Sequence, residues 1–257
     1  MTDESNIPIE EFPFDPDGEN IDPAHSFPEP SDIVFHDERG TLFVVGDEGA
    51  IAEINAKGKV LHFKELGIEN LEGITWAVST GMLYVAVEGK EAILEIDQDT
   101  FDVTRTFEIK REFAGVKVLK KGNNGVESIV FVPDGEHKHG GTFFVANQAK
   151  EHGDDEDASA LLELSVPLEG AKSKAKIVAY YPQRTLDLAA LCYDPARDVL
   201  IAASDQEDRC LEFTRDGLPV RSYALPGEDQ EGIAVDADGN LYVAQDSGGI
   251  IKYRAKG

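Results

Sequence analysis

Carboxylates recurring at one place are the residues whose types and spacing could do chemistry. "LEGITW" (71–76), "VESIVF" (126–131) and "QEGIAV" (230–235) each set a Glu ahead of a short apolar run. Aligned with "PSDIVF" (30–35), they give a first column of Asp32, Glu72, Glu127 and Glu231. A fifth segment, "LDLAALCY" (186–193), has Ala189 at that place, with Asp187 two residues upstream. A second column follows the next apolar run of each segment: Asp47, Glu88, Gln148, Asp205 and Asp246. Neither column contains Lys or Arg. Gathered in one place, such carboxylates repel, and each costs several kcal/mol to bury unless paired or coordinated. A hard divalent cation answers both problems. Ca²⁺ takes about 6–8 oxygen ligands at about 2.3–2.6 Å in irregular geometry, with Mg²⁺ as the alternative. Columns without His or Cys argue against zinc or copper. A second reading stays open, in which each acid caps a turn by accepting backbone N–H bonds.

Positioning these acids requires a repeated element. The chain has little helical periodicity. It is a series of short runs rich in Val, Ile, Leu, Phe and Tyr, punctuated by Gly, Asp, Asn and Pro, which reads as all-β. "EGIAVDADGNLYVAQDSGGIIKY" (231–253), "EGITWAVSTGMLYVAVEGKEAILEI" (72–96) and "SDIVFHDERGTLFVVGDEGAIAEI" (31–54) follow one pattern, and segments 127–148 and 188–213 follow it too. The anchors Ile33, Ile74, Ile129, Leu191 and Ile233 lie 41, 55, 62 and 42 residues apart. "KVLHFKEL", "VTRTFEI", "KIVAYY" and "VRSYAL" add a fourth strand to four of the units. Four strands in roughly 40 residues is the period of a propeller blade. The expectation is a single domain over 1–257, a five-bladed β-propeller whose last blade is closed by an N-terminal strand near Asp22–Phe27. Residues 1–20 would be a disordered or peripheral segment, and insertions fall near 110–125 and 149–159. First strands line the axis of a propeller, so the first column would converge at its mouth.

Composition narrows the partners. The 257 residues carry 24 Lys+Arg against 50 Asp+Glu, a formal charge of −26. That field repels phosphate backbones and anionic lipid and attracts cations, so the partners are a divalent cation and an unknown small molecule or protein, not nucleic acid. It also serves solubility. No apolar run is long enough to span a bilayer. The start, "MTDESNIPIEEFPF", has neither the basic nor the apolar part of a signal peptide, which points to the cytoplasm, or to an exported protein if a leader has been removed. Cys192 and Cys210 form no CxxC and read as free buried thiols.

Other chemistry finds no motif: GxSxG, HExxH, a P-loop and CxxC are all absent. "HKH" (137–139) with His152, and the acidic run Asp154–Asp157, read as solvated loops. "DADGN" (236–240) and "DPDGEN" (15–20) read as turns rather than calcium loops. Trp76 reads as core packing rather than a stacking platform.

"EPSDIVFHDERGTLFVVGDE", "LEGITW", "LDLAALCYDPARDVLIAASDQ" and "DQEGIAVDADGNLYVAQD" together resemble the SdiA-regulated (YjiK-like) propeller family over residues 28–253. The resemblance implies five blades, a calcium site and a distant relation to NHL-repeat propellers. Ala189 and Ala190 stand where that family usually carries Ser and Gly. "LEGITW" is also similar to the "LEGPxW" motif of gluconolactonase-like propellers, in which the Glu is a metal ligand. The expected function is a calcium-binding propeller with a binding or scaffold role. The alternative is a metal-dependent hydrolase of a lactone or phosphoester, with Asp205 or Asp246 as general base.

Overall fold

The computed structural model describes residues 7–122, 125–149 and 159–256. His152 and the run Asp154–Asp157 lie outside the described residues. Strands and turns account for the described chain, with no helix among them. Two short strands, β1 (Ile9–Glu10) and β2 (Glu19–Asn20), come first. The first antiparallel unit is β3 (Pro30–His36), β4 (Thr41–Gly46), β5 (Ala50–Asn55) and β6 (Val60–Glu65). The second is β7 (Leu71–Ala77), β8 (Met82–Val87), β9 (Ala92–Asp97) and β10 (Val103–Lys110). A small hairpin, β11 (Glu112–Phe113) and β12 (Val116–Lys117), occupies the 110–125 insertion. The third unit is β13 (Val126–Pro133), β14 (Gly141–Asn147), β15 (Ala160–Ser165) and β16 (Lys174–Pro182). Then come β17 (Leu188–Asp194), β18 (Val199–Ser204), β19 (Arg209–Phe213) and β20 (Pro219–Ala224). The last unit is β21 (Gln230–Val235), β22 (Leu241–Gln245) and β23 (Ile250–Tyr253).

The units are arranged as a propeller. The inner strands β3, β7, β13, β17 and β21 pack each against the next, and β21 packs against β3. An apolar layer fills each space between neighbouring units. Phe43, Val45, Leu83 and Val85 fill the first, and Tyr84, Ile129 and Phe143 the second. Val130, Phe144 and Leu200 fill the next, followed by Ile201, Tyr223 and Val243, and then Val44, Ala234 and Tyr242. Burial patterns follow from this. Middle strands such as β4, "TLFVVG", are covered on both faces and read as continuous apolar runs. The outer strand β6, "VLHFKE", is covered on one face and alternates half-buried with exposed. The second and third units also join at their rims, where β10 and β16 pair in parallel through Ile109 and Ala175.

The last unit is completed from the N-terminus, by a different segment from the one expected. Glu19 and Asn20 of β2 pair with Lys252 and Ile251 of β23. Asp22–Phe27 cannot form that strand, because the Asp22 carboxylate accepts the N–H groups of Ser26 (2.8 Å) and Phe27 (3.1 Å) and turns the chain. Phe27 is then buried in the layer between the last and first units. The preceding residues are also held: β1 adds in parallel to β20, and Phe12 packs edge-on against Tyr253 at 5.2 Å. Cys192 and Cys210 are both free and buried.

At the axis, every inner strand carries a register shift near its start. The shifts fall between Pro30 and Asp32, Leu71 and Gly73, Val126 and Ser128, Leu188 and Ala190, and Gln230 and Gly232. The bulged residues are therefore Ser31, Glu72, Glu127, Ala189 and Glu231. The next position is crowded. A Cβ on Gly73 would lie 2.6 Å from the Ile129 nitrogen, and one on Gly232 would lie 2.6 Å from the Asp32 Cα. Glycine is thus required after two of the glutamates so that neighbouring inner strands can touch. Gly73→Ala and Gly232→Ala should each cost about 1–3 kcal/mol in urea unfolding through overpacking. Gly135→Ala, with nothing near its Cβ, should stay within about 0.5 kcal/mol of the parent.

Candidate functional site: an acid-lined axial mouth

The bulges explain how glutamates come to face the axis. A bulge leaves one residue outside the ladder and re-aims its side chain. At the end of the axis where the inner strands start, Glu72, Glu127 and Glu231 line a cavity of about 200 Å³ together with Ser31, Asp47, Glu88, Gln148 and Asp246. The second-column residues arrive there because the next strand runs back antiparallel and ends beside the bulge. The lining holds six carboxylates, a hydroxyl and an amide, and no Lys or Arg.

Three of the sequence-predicted residues lie elsewhere. Asp32 is one residue out of register with the glutamates; Ser31 holds the bulge position and lines the cavity in its place. The Asp32 carboxylate is fully buried and accepts the N–H groups of Ile33 (2.8 Å) and Ile74 (2.8 Å) and the hydroxyl of Ser128 (3.3 Å). Burial pushes its pKa well up, and these donors, with the backbone of Ile233, pull it back. Asp187 does not line the mouth. It has φ 54° four residues before its anchor, as Asn70 (φ 61°) and Asp229 (φ 56°) have before theirs. Asn and Asp tolerate this left-handed conformation. Asp205 is also outside the cavity; its carboxylate accepts the Gln230 N–H at 2.8 Å. Glu88 accepts the Gly125 N–H at 3.2 Å while still lining the mouth.

Sequence reasoning missed two polar residues that shape this end. Ser31 was hidden by the one-residue slip, although it stands two before Ile33, as Glu72 stands two before Ile74. Glu91 is buried and accepts the N–H groups of Gly122 and Val126, both at 3.2 Å, fixing the loop into β13. Nothing in the repeat pattern signals Glu91.

Crowded acids shift one another. The Glu72 pKa is raised to about 8, first by burial and then by the charges of Asp47, Glu88 and Glu231. Glu127 is pushed well up by burial and by Glu88 and Glu72. Asp47 and Glu88 stand close enough to Glu72 and Glu127 for their charges to add to the effect of burial. Among the described residues no three His, Cys, Asp or Glu side chains already stand in an arrangement that holds a metal ion. The mouth has gathered the donors without converging them on a point.

An acid-lined axial cavity inside a ring of antiparallel sheets defines the class: a β-propeller with an anionic mouth. The chain belongs to the SdiA-regulated family, whose model matches residues 6–248. A glutaminyl cyclase from Myxococcus xanthus has a similar fold, at 15% identity, with 97% of this chain and 95% of that one covered and a TM-score of 0.58. The β-propeller domain of Cps50 (Swd1) from Myceliophteria thermophila matches at 14% identity and a TM-score of 0.46, over 85% of this chain and 63% of that one. No curated protein matches the sequence. Among the described residues no helix is long and apolar enough to cross a membrane.

The raised pKa values set a pH dependence. Glu72 binds its proton more tightly folded than unfolded, so its contribution is complete below its unfolded pKa and is lost as pH rises through about 8. In EDTA, Tm should fall by roughly 5 °C or more between pH 5.5 and 8.5. Glu72→Gln should flatten that fall in a melting series across this range.

Proposed function

We propose that the chain is a five-bladed propeller that holds a divalent cation in its anionic mouth, Ca²⁺ in preference to Mg²⁺. Its role on this reading is that of a binding or scaffold protein for a small molecule or another protein. The observation that carries the cation is the charge count: six carboxylates around about 200 Å³ without a Lys or Arg among them. The blade count rests on the cyclic packing of the inner strands β3, β7, β13, β17 and β21.

The donor chemistry fits a hard cation. All the charged donors are carboxylate oxygens, and Gln148 and Ser31 add neutral ones. Glu72, Glu127 and Glu231 would hold the ion, with Asp47 and Glu88 as further oxygen donors on the same lining. Proton and cation compete for the same oxygens, so the ion replaces the protons that the metal-free mouth needs. Donors spread over several strands suit the irregular coordination of Ca²⁺ better than the strict octahedron of Mg²⁺.

A lactone or phosphoester hydrolase would need the same ion with an open coordination position and a base beside it. Of the two candidate bases, Asp246 lines the cavity, whereas Asp205 is engaged by the Gln230 N–H. The carboxylate count favours the binding role.

Thermal melting of the EDTA-treated protein with Ca²⁺ or Mg²⁺ added back tests the reading. At a hundredfold excess over Kd, Ca²⁺ should add about 2.7 kcal/mol, a rise in Tm of roughly 5–10 °C. Mg²⁺ should add less at equal concentration. The double variant Glu72→Gln with Glu127→Gln should melt higher than the parent in EDTA at pH 8, because buried repulsion is removed, and should lose the Ca²⁺ response. A parent protein whose Tm ignores Ca²⁺, with no heat of binding by calorimetry, would sink the proposal.

A further inference from the structure

The inner strands build a second chamber at their other ends, and it is apolar. Its volume is about 750 Å³. The anchors Ile33, Ile74, Leu191 and Ile233 form part of its lining, and Phe35 and Trp76 contribute aromatic wall. Asp32 and its backbone donors sit between this chamber and the acid mouth, one residue before Ile33. The two cavities therefore occupy opposite ends of the axis.

The charges around the chamber do not balance. Asp194 is held by Arg197 at 2.6 Å, and Arg197 also binds Glu212 at 2.7 Å. Asp236 is held by Asn240, Tyr242 and Lys252, the last at 3.5 Å. Lys256 is paired with Glu11 at 2.7 Å. Asp37 and Glu38 remain: both line the chamber, both are exposed, and among the described residues neither has a Lys or Arg at ion-pair distance. The rim thus adds local negative charge to a chain of net charge −26.

We propose that this chamber binds a small amphiphilic cation, with its apolar body against the Ile and aromatic wall and an ammonium or guanidinium group at the Asp37–Glu38 rim. The volume falls within the range of about 300–1,000 Å³ of small-molecule sites, and the mixture of an apolar wall with a few polar groups at one edge is their usual make-up. The rim field favours cations and opposes anions of the same shape. Cys192 lies on the wall, and burial keeps it a neutral thiol, so the chamber binds without a covalent step. This proposal does not depend on a metal in the acid mouth.

Trp76 is the single Trp of the chain and lines the chamber, so its fluorescence reports occupancy directly. The full-length protein in EDTA is titrated with octyltrimethylammonium and with octyl sulfate, both below micelle-forming concentrations. Octyltrimethylammonium should change Trp76 emission saturably, with an apparent Kd at least about tenfold below that of octyl sulfate. Val78→Arg puts a cation at a chamber-lining position that is 49% exposed, so it should leave Tm unchanged and weaken the ammonium probe at least about tenfold. Asp37→Asn with Glu38→Gln should bring the two probes within about threefold of each other. Glu72→Gln with Glu127→Gln, at the opposite end, should leave probe binding as in the parent. No saturable change with either probe overturns the site. Octyl sulfate binding as tightly as the ammonium overturns the ligand class. Loss of binding in the Glu72/Glu127 variant, or normal binding in a folded Val78→Arg protein, overturns the location.

Discussion

Backbone meets backbone where the inner strands converge, and the rest of the molecule is arranged around that contact. Gly73 sits against Ser128 and Ile129, and Gly232 against Asp32 and Ile33, at distances that leave no room for a Cβ. Strands this close at an axis leave polar groups that their own ladders do not pair. Asp32 supplies the missing acceptor, taking N–H groups from β3 and β7 and a hydroxyl from β13. A buried carboxylate is tolerable there because donors surround it, and it ties several units together in one group. The apolar layers between units then follow from side chains that alternate on either side of each sheet.

The same crowding produces the acid mouth. Each inner strand starts with a bulge, and the bulged side chain is directed to the axis rather than into a layer. With Glu at three of these positions and acids at the ends of neighbouring strands, the mouth gathers negative charge that nothing on its lining neutralises. Burial first, and that repulsion second, raise the Glu72 pKa to about 8 and push Glu127 up with it. Such a cluster spends folding stability at neutral pH, as functional sites commonly do.

One axis thus carries two unlike environments. Short strands of alternating residues expose opposite chemistry at their two ends: bulged acids at the start, Ile, Phe and Trp further along. The polar hub at Asp32 lies between them. A propeller can present such a pair of surfaces because its inner strands run in one direction, so every unit contributes the same end to the same mouth. The fold shared with a glutaminyl cyclase of 15% identity reflects this packing logic and does not carry that protein's chemistry.

Much of this was legible in the sequence. The all-β class and the strand runs rest on local patterns of period 2 and on Gly, Asp and Asn at turns, and such patterns survive translation into structure. What failed was register. The repeat pattern aligns Asp32 with the glutamates, but in a strand a slip of one residue reverses which way a side chain points. The bulges decide that Ser31 faces the mouth and Asp32 the interior. Asp187 stands near the aligned position in sequence, but its backbone is left-handed at φ 54° and it does not line the mouth. The closing strand fell at Glu19–Asn20 because Asp22 caps a turn instead, a choice made by two backbone N–H groups. The apolar chamber had no signature at all, since Ile33, Ile74 and Trp76 read as core residues. The sequence by itself determined which segments become strands and where acids recur, because those depend on neighbours along the chain. The tertiary structure alone decided which acids meet, which one is buried as a hub, and where the axis stays hollow, because those depend on how closely strands from distant parts of the chain can approach.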